Sequence, residues 1–288
     1  MTLEQLLQPL QFDFMRQALL IATIVAVPTA LLSCLLVVKG WALLGDAIAH
    51  AVFPGVVLAY LLGLPLAAGA FAAGLFCAAA TGYVHRNSRI KQDTVMGVVF
   101  SGLFALGLLL HGWVRSNVHL EHILFGDPLG VLPADLWQAA AIALGISAWM
   151  ALKWRDLLLH AFDPVQAHTM GLRCTLLHYS LLMAVSLAVV ASLKAVGLVL
   201  AIALLIAPGA TALLLVRTFG RMLLLACVIA VTAALLGVYL SFLLDSAPAP
   251  TIVLLLGIFF LIALGFSAWR GERKQRAKEP VHRLGTEG

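Results

Sequence analysis

The chain has 288 residues, 62% of them hydrophobic and 11% charged, with a mean hydropathy of +1.05 and a formal net charge of +5. Soluble globular chains carry about a quarter charged residues, so this composition excludes a soluble protein and describes a polytopic membrane protein filled by one membrane domain. The excess positive charge lies between apolar runs and in the C-terminal tail, which fits membrane orientation and excludes a nucleic-acid-binding face.

Residues 1–13 mix polar and apolar side chains without a basic stretch or a small-residue cleavage site, and read as an interfacial segment, not a signal peptide. Nine apolar runs follow, at 14–38, 41–62, 64–84, 94–114, 134–153, 176–193, 196–216, 222–243 and 251–269. Each is long enough to cross a bilayer, and all are expected to be helical because lipid leaves an open strand edge unsatisfied. The expected fold is therefore an all-α bundle of about nine transmembrane helices over 14–269, followed by a basic tail at 270–288.

The second run contains Gly45-Asp46-Ala47-Ile48-Ala49-His50-Ala51-Val52-Phe53-Pro54-Gly55. An aspartate inside a membrane costs about 2.5–3.5 kcal/mol on insertion scales, so Asp46 must face protein, water or a ligand. Asp46 and His50 are one helical turn apart on a common face. Pro54 cannot donate to the His50 carbonyl, so Pro54 and Gly55 predict a kink or break. With Lys39 and Gly63 marking the membrane edges, His50 falls near the midpoint. A carboxylate, an imidazole and a freed carbonyl there suit a passing divalent cation; the plainer alternative is a hydrogen-bonded pair that locks two helices.

Orientation follows from the basic residues. Arg86, Arg89 and Lys91 mark one loop, Lys153, Arg155 and Arg173 a second, Arg217 and Arg221 a third, and Arg270, Arg273, Lys274, Arg276 and Lys278 the tail. With nine spans all of these share one side with Lys39, which makes that side cytoplasmic and the N-terminus external. Asp93 reads as the structural cap of the fourth helix. On the external side, His119, Glu121 and His122 are candidate metal contacts, although their spacing matches neither HExxH nor HxxEH and packing of Ile123, Leu124 and Phe125 against the bundle is the plainer reading.

Between the fifth and sixth runs, Asp163 suits an N-cap, Pro164 the first helical position and Gly171 the stop of a helix over 164–170. Such a helix, within the cytoplasmic stretch 155–173, serves either as a docking knob or as a plain structural loop. The seventh run carries Pro208 and Gly209 near its middle, a second expected break that would line a path with unwound backbone or simply kink a packed helix. Cys34, Cys77, Cys174 and Cys227 lie singly in or beside apolar runs and read as packing residues. No GxxxxGK[ST] phosphate loop occurs, so any ATP-driven work needs a motor on another chain.

These blocks together resemble the membrane permeases of manganese, zinc and iron ATP-binding-cassette importers. The resemblance rests on 45–55, on Gln92-Asp93-Thr94-Val95-Met96-Gly97, on His122-Ile123-Leu124-Phe125-Gly126-Asp127, on Phe162-Asp163-Pro164 with Gly171, and on Lys194-Ala195-Val196-Gly197 through Pro208-Gly209-Ala210-Thr211-Ala212. It covers 14–269 in order and is closer in character to the manganese and iron permeases than to the zinc ones. It implies a bacterial cytoplasmic-membrane subunit that moves Mn(II), Fe(II) or Zn(II) and holds no permanent cofactor. Its implied partners are a cytoplasmic ATPase, an extracytoplasmic solute-binding protein, and a second permease copy, identical or related. It implies Asp46 and His50 on the ion path and Asp163, Pro164 and Gly171 in the helix that meets the ATPase. The rival classes are a proton-coupled secondary transporter, in which Asp46 and His50 relay protons, and an intramembrane metalloenzyme built on His119, Glu121 and His122.

Overall fold

The computed structural model describes residues 11–113 and 133–276, and among them every regular element is a helix. In chain order these are α1 (Asp13–Val38), α2 (Leu44–Leu61), α3 (Leu66–Asn87), α4 (Gln92–Trp113), α5 (Pro133–Phe162), α6 (Pro164–Thr169), α7 (Cys174–Leu215), α8 (Phe219–Leu243) and α9 (Pro248–Arg276). Among the described residues nine stretches are long and apolar enough to cross a membrane, because α7 carries two, Cys174–Leu193 and Val196–Leu215, and six-residue α6 carries none.

The fifth span runs further than its hydropathy predicts, continuing past Lys153 to Phe162. Ion pairing of Lys153 with Asp156 at 2.9 Å, one turn apart, stabilises that polar extension on the helix surface. Buried Thr29, Ser33, Ser192, Thr211 and Ser241 satisfy their hydroxyls locally, as Thr29 does by donating to the Val25 carbonyl at 2.7 Å.

Lipid offers no hydrophobic drive between helices, so the bundle is held by close backbone approach and packing. Gly55 of α2 and Gly69 of α3 face each other reciprocally: a Cβ on either would meet the other's carbonyl oxygen. Gly209 of α7 lies against α1, where a Cβ would stand 2.6 Å from the Ser33 carbonyl carbon. The buried side chains form two clusters. One centres on α2, α3, α5 and the first half of α7; the other joins α1, α8 and α9 to the second half of α7.

Helix α7 is thus the spine shared by both clusters, and it is broken at Gly197, where φ is 80° and ψ 173°. Only glycine adopts that backbone conformation readily. The expected interruptions at Pro54–Gly55 and Pro208–Gly209 are not there: α2 is helical without a break from Leu44 to Leu61, and Gly197 holds the one non-helical conformation inside α7. A proline removes one hydrogen bond from the ladder, and the packed neighbours of both sites hold the helix through that loss; residues 51–57 are all buried.

Candidate functional site

Helix α2 begins at Leu44, which puts Asp46 in its first turn. The unpaired N–H groups of that turn favour a carboxylate there, offsetting part of the cost of placing it in a membrane. His50 is the seventh of the eighteen residues of α2, about 9 Å along the axis from its start and about 4 Å short of its centre. His50 therefore lies near the middle of the span, with Asp46 one turn closer to the Lys39 end.

The His50 Nε2 and Asp46 Oδ1 atoms are 3.3 Å apart, and the two side chains keep 27% and 28% of their surface exposed. Behind them Ala47, Ile48, Ala49 and Ala51 are fully buried. The pair occupies the face of α2 that the bundle leaves partly open. With metal–ligand bonds of about 2.1 Å, an N···O separation of 3.3 Å subtends about 100° at a shared ion. That angle falls in the range between two ligands of one tetrahedral or octahedral ion.

Two phenyl rings of α4 enclose the imidazole. Phe100 stacks on it at 5.7 Å between centroids, and Phe104 meets it edge-on at 5.2 Å. The His50 Nδ1 atom is buried without a hydrogen-bond partner. Pro54, four residues on, has no N–H to donate to the His50 carbonyl. Gly107 of α4 allows the closeness of the two helices, since a Cβ there would lie 2.6 Å from Phe53 Cδ1 and 2.9 Å from Pro54 N.

Among the described residues no group of three or more histidine, cysteine or acidic side chains converges. Among the described residues Asp46 and His50 are the ionisable side chains that this face of α2 brings together. His119, Glu121 and His122 lie outside the described residues, as does the 122–127 block. The four cysteines are free thiols, with Cys34 and Cys77 buried.

The short helix is built as its sequence predicts. Asp163 Oδ1 accepts the Gln166 backbone N–H at 2.8 Å, and Pro164 holds the first helical position. At the other end Leu172 N–H donates to the Ala167 carbonyl at 3.1 Å and Gly171 N–H to the His168 carbonyl at 3.0 Å. Gly171, at φ 79°, supplies the left-handed residue that this helix stop requires. Around the helix Phe162, Val165 and Met170 are mostly exposed. Beside it, a cleft of about 820 Å³ is lined by His168, Arg173, Tyr179 and Met183 among others. Capped backbone with apolar side chains turned outward suits docking.

Two features escaped the sequence reading. One is the break at Gly197, which a lone glycine in an apolar run does not announce. The other is the stripe of Phe100, Phe104, Gly107 and His111 on α4, whose i, i+4, i+7, i+11 spacing marks one helical face and could have been found.

A family model described as the ABC 3 transport family matches residues 11–267. The chain is 49% identical over 257 residues to the chelated iron transport system membrane protein YfeD of Yersinia pestis, covering 89% of this chain and 86% of that one. It is 42% identical over 275 residues to the manganese transport system membrane protein MntC of Halalkalibacterium halodurans, covering 92% and 94%. Among solved structures, PsaBC from Streptococcus pneumoniae in complex with Fab superposes with a TM-score of 0.81 at 35% identity, covering 91% of this chain and 95% of that chain.

Proposed function

Since the chain belongs to the ABC 3 transport family, we propose that it is the permease subunit of an importer that carries Mn(II) and Fe(II) across a bacterial cytoplasmic membrane, with Zn(II) as a third candidate. The observation that carries this reading is the Asp46–His50 pair, an oxygen and a nitrogen 3.3 Å apart on the open face of a membrane helix. The curated relatives described above are named for manganese and chelated iron. Oxygen and imidazole donors accept all three ions, with intrinsic affinity rising toward zinc, so selection for manganese or iron belongs upstream, in a solute-binding protein.

The ion path runs beside α2, and a second permease copy, identical or related, contributes the matching pair. Two such pairs give four ligands around one ion without a closed site in either chain. Transit requires that each contact be weak enough to release the ion. The basic loops orient the Lys39 end of α2 toward the cytoplasm. On that side α6, with Asp163, Pro164 and Gly171, is the element on which a separate ATPase acts. ATP-driven closure pushes α6, and the Gly197 break in α7 lets the two halves of the spine move separately.

The competing reading, a proton-coupled transporter, uses the same pair as a proton relay. Mn(II) uptake into proteoliposomes separates them. The proposal expects uptake only with ATPase, binding protein and ATP present. Uptake by the permease alone under an imposed pH gradient, indifferent to ATP, would overturn it.

A further inference from the structure

Helix α4 turns one stripe toward α2, and that stripe runs on past His50 toward Trp113. Phe104 touches both His50, at 5.2 Å between centroids, and Phe53, at 5.9 Å. Phe53 in turn meets His111 of α4 at 5.9 Å. The order along the α2–α4 seam is therefore imidazole, phenyl, phenyl, imidazole. Phe53 is 3% exposed, whereas His50 and His111 both keep partial exposure. The two phenyls thus close the seam between two histidines that remain reachable from either side of them.

We infer that His111 is a second metal-contacting residue of the ion path, on the Trp113 side of a gate formed by Phe53 and Phe104. This rests on reading Asp46 and His50 as the ion path. The ligand is a hydrated divalent transition cation, for which a neutral imidazole nitrogen is a suitable donor. An ion entering from the Trp113 end meets His111 while still largely hydrated. The gate is apolar, so it sheds water and holds the seam shut between transport events. Its ring faces also attract a cation that has lost part of its water, which lowers the barrier for the ion while leaving it high for anions. His50 and Asp46 then complete the exchange of water for protein ligands.

The geometry favours a contact over a buried packing residue for three reasons. Gly107 removes the side chain that would otherwise separate His111 from Phe53 and Pro54 on the seam, and a Cβ there would meet both. His111 sits on the same face of α4 as Phe100 and Phe104, the rings that enclose His50. Two weak stations in series also pass an ion more readily than one strong site holds it.

The test uses the complete importer, with ATPase and binding protein, in proteoliposomes, measuring ATP-driven uptake of Mn(II) by itself and with Zn(II) as competitor. His111→Phe and His111→Gln keep the bulk of the side chain and lose the ligand; His111→Asp restores a ligand of another shape. The inference expects both ligand-free variants to lose uptake by at least the about tenfold that removing a mere supporting partner costs a metal site. It expects His111→Asp to recover most of the rate and to shift competition away from Zn(II) toward Mn(II). Stimulation of the ATPase by the binding protein reports assembly in every variant. Wild-type uptake by His111→Phe or His111→Gln overturns the inference, as does failure of assembled His111→Asp to recover. Asp46→Ala in the same vesicles separates the two claims. If Asp46→Ala still transports, the path itself is misassigned; if it is inactive while His111→Phe transports normally, only the role of His111 falls.

Discussion

His50 Nε2 faces Asp46 Oδ1 across 3.3 Å on one open face of α2, and Phe100 and Phe104 wall the imidazole from the other side. On the proposed function a single ion contacts both. Groups that act on one ion are strongly non-additive. Asp46→Asn and His50→Gln should each abolish Mn(II) binding to the detergent-purified importer, measured by loss of the free-ion EPR signal, and the double variant should be no weaker than either. Independent, additive losses would mean that the two side chains serve separate sites.

The α6 caps set how rigidly that helix transmits force. Asp163→Ala removes the acceptor of Gln166 N–H and should cost about 1 kcal/mol locally. Gly171→Ala forces a side chain into the left-handed conformation at φ 79°, at about 1–2 kcal/mol. A helix of six residues cannot absorb both losses, so the double variant should hydrolyse ATP without transport while its thermal midpoint moves little. Asp163→Asn, which keeps an acceptor, should transport normally. Parallel measurement of phosphate release and Mn(II) uptake decides the matter.

Gly197 and Pro208 reverse the expected order of importance in α7. At φ 80° and ψ 173°, Gly197→Ala should cost about 1–3 kcal/mol and lower the thermal midpoint in detergent. Pro208 sits in unbroken helix, so Pro208→Ala should be neutral or slightly stabilising because it restores a backbone donor. A larger loss at Pro208 than at Gly197 would relocate the hinge.

Those two residues also show what was legible in the sequence. The spans stand out because a bilayer demands about twenty apolar residues for each crossing. The Asp46–His50 pair is readable because charge is rare inside them. The ends of α6 are readable because Asp-Pro at the start and glycine at the stop have fixed stereochemical roles. Proline is conspicuous, yet packing tolerates it at 54 and 208. The break falls instead on Gly197, whose φ of 80° suits glycine alone, and an apolar run carries no trace of that. The rings of α4 share one face by periodicity, which does not say which helix lies against it.

Lys39, between α1 and α2, has its Nζ 3.8 Å from the centre of the Trp41 ring. Burial pushes its pKa down from an ordinary 10.5 to about 8. A depressed amine pKa means that the unfolded chain binds more protons than the folded one between these two values, so stability rises with pH across that window. The penalty is fully present below about pH 8. The thermal midpoint should climb between pH 8 and 10, and Lys39→Met should flatten the climb and raise the midpoint at pH 7. An identical pH profile in the variant would remove Lys39 as its source.

The central claim, that the ion crosses by way of Asp46 and His50, is tested most directly by ATP-driven Mn(II) uptake in proteoliposomes holding wild-type, Asp46→Ala or His50→Ala permease with its ATPase and binding protein. The account predicts that both variants assemble and hydrolyse ATP in response to the binding protein but take up no Mn(II). Wild-type uptake by either assembled variant would contradict it and leave the pair as a lock between helices.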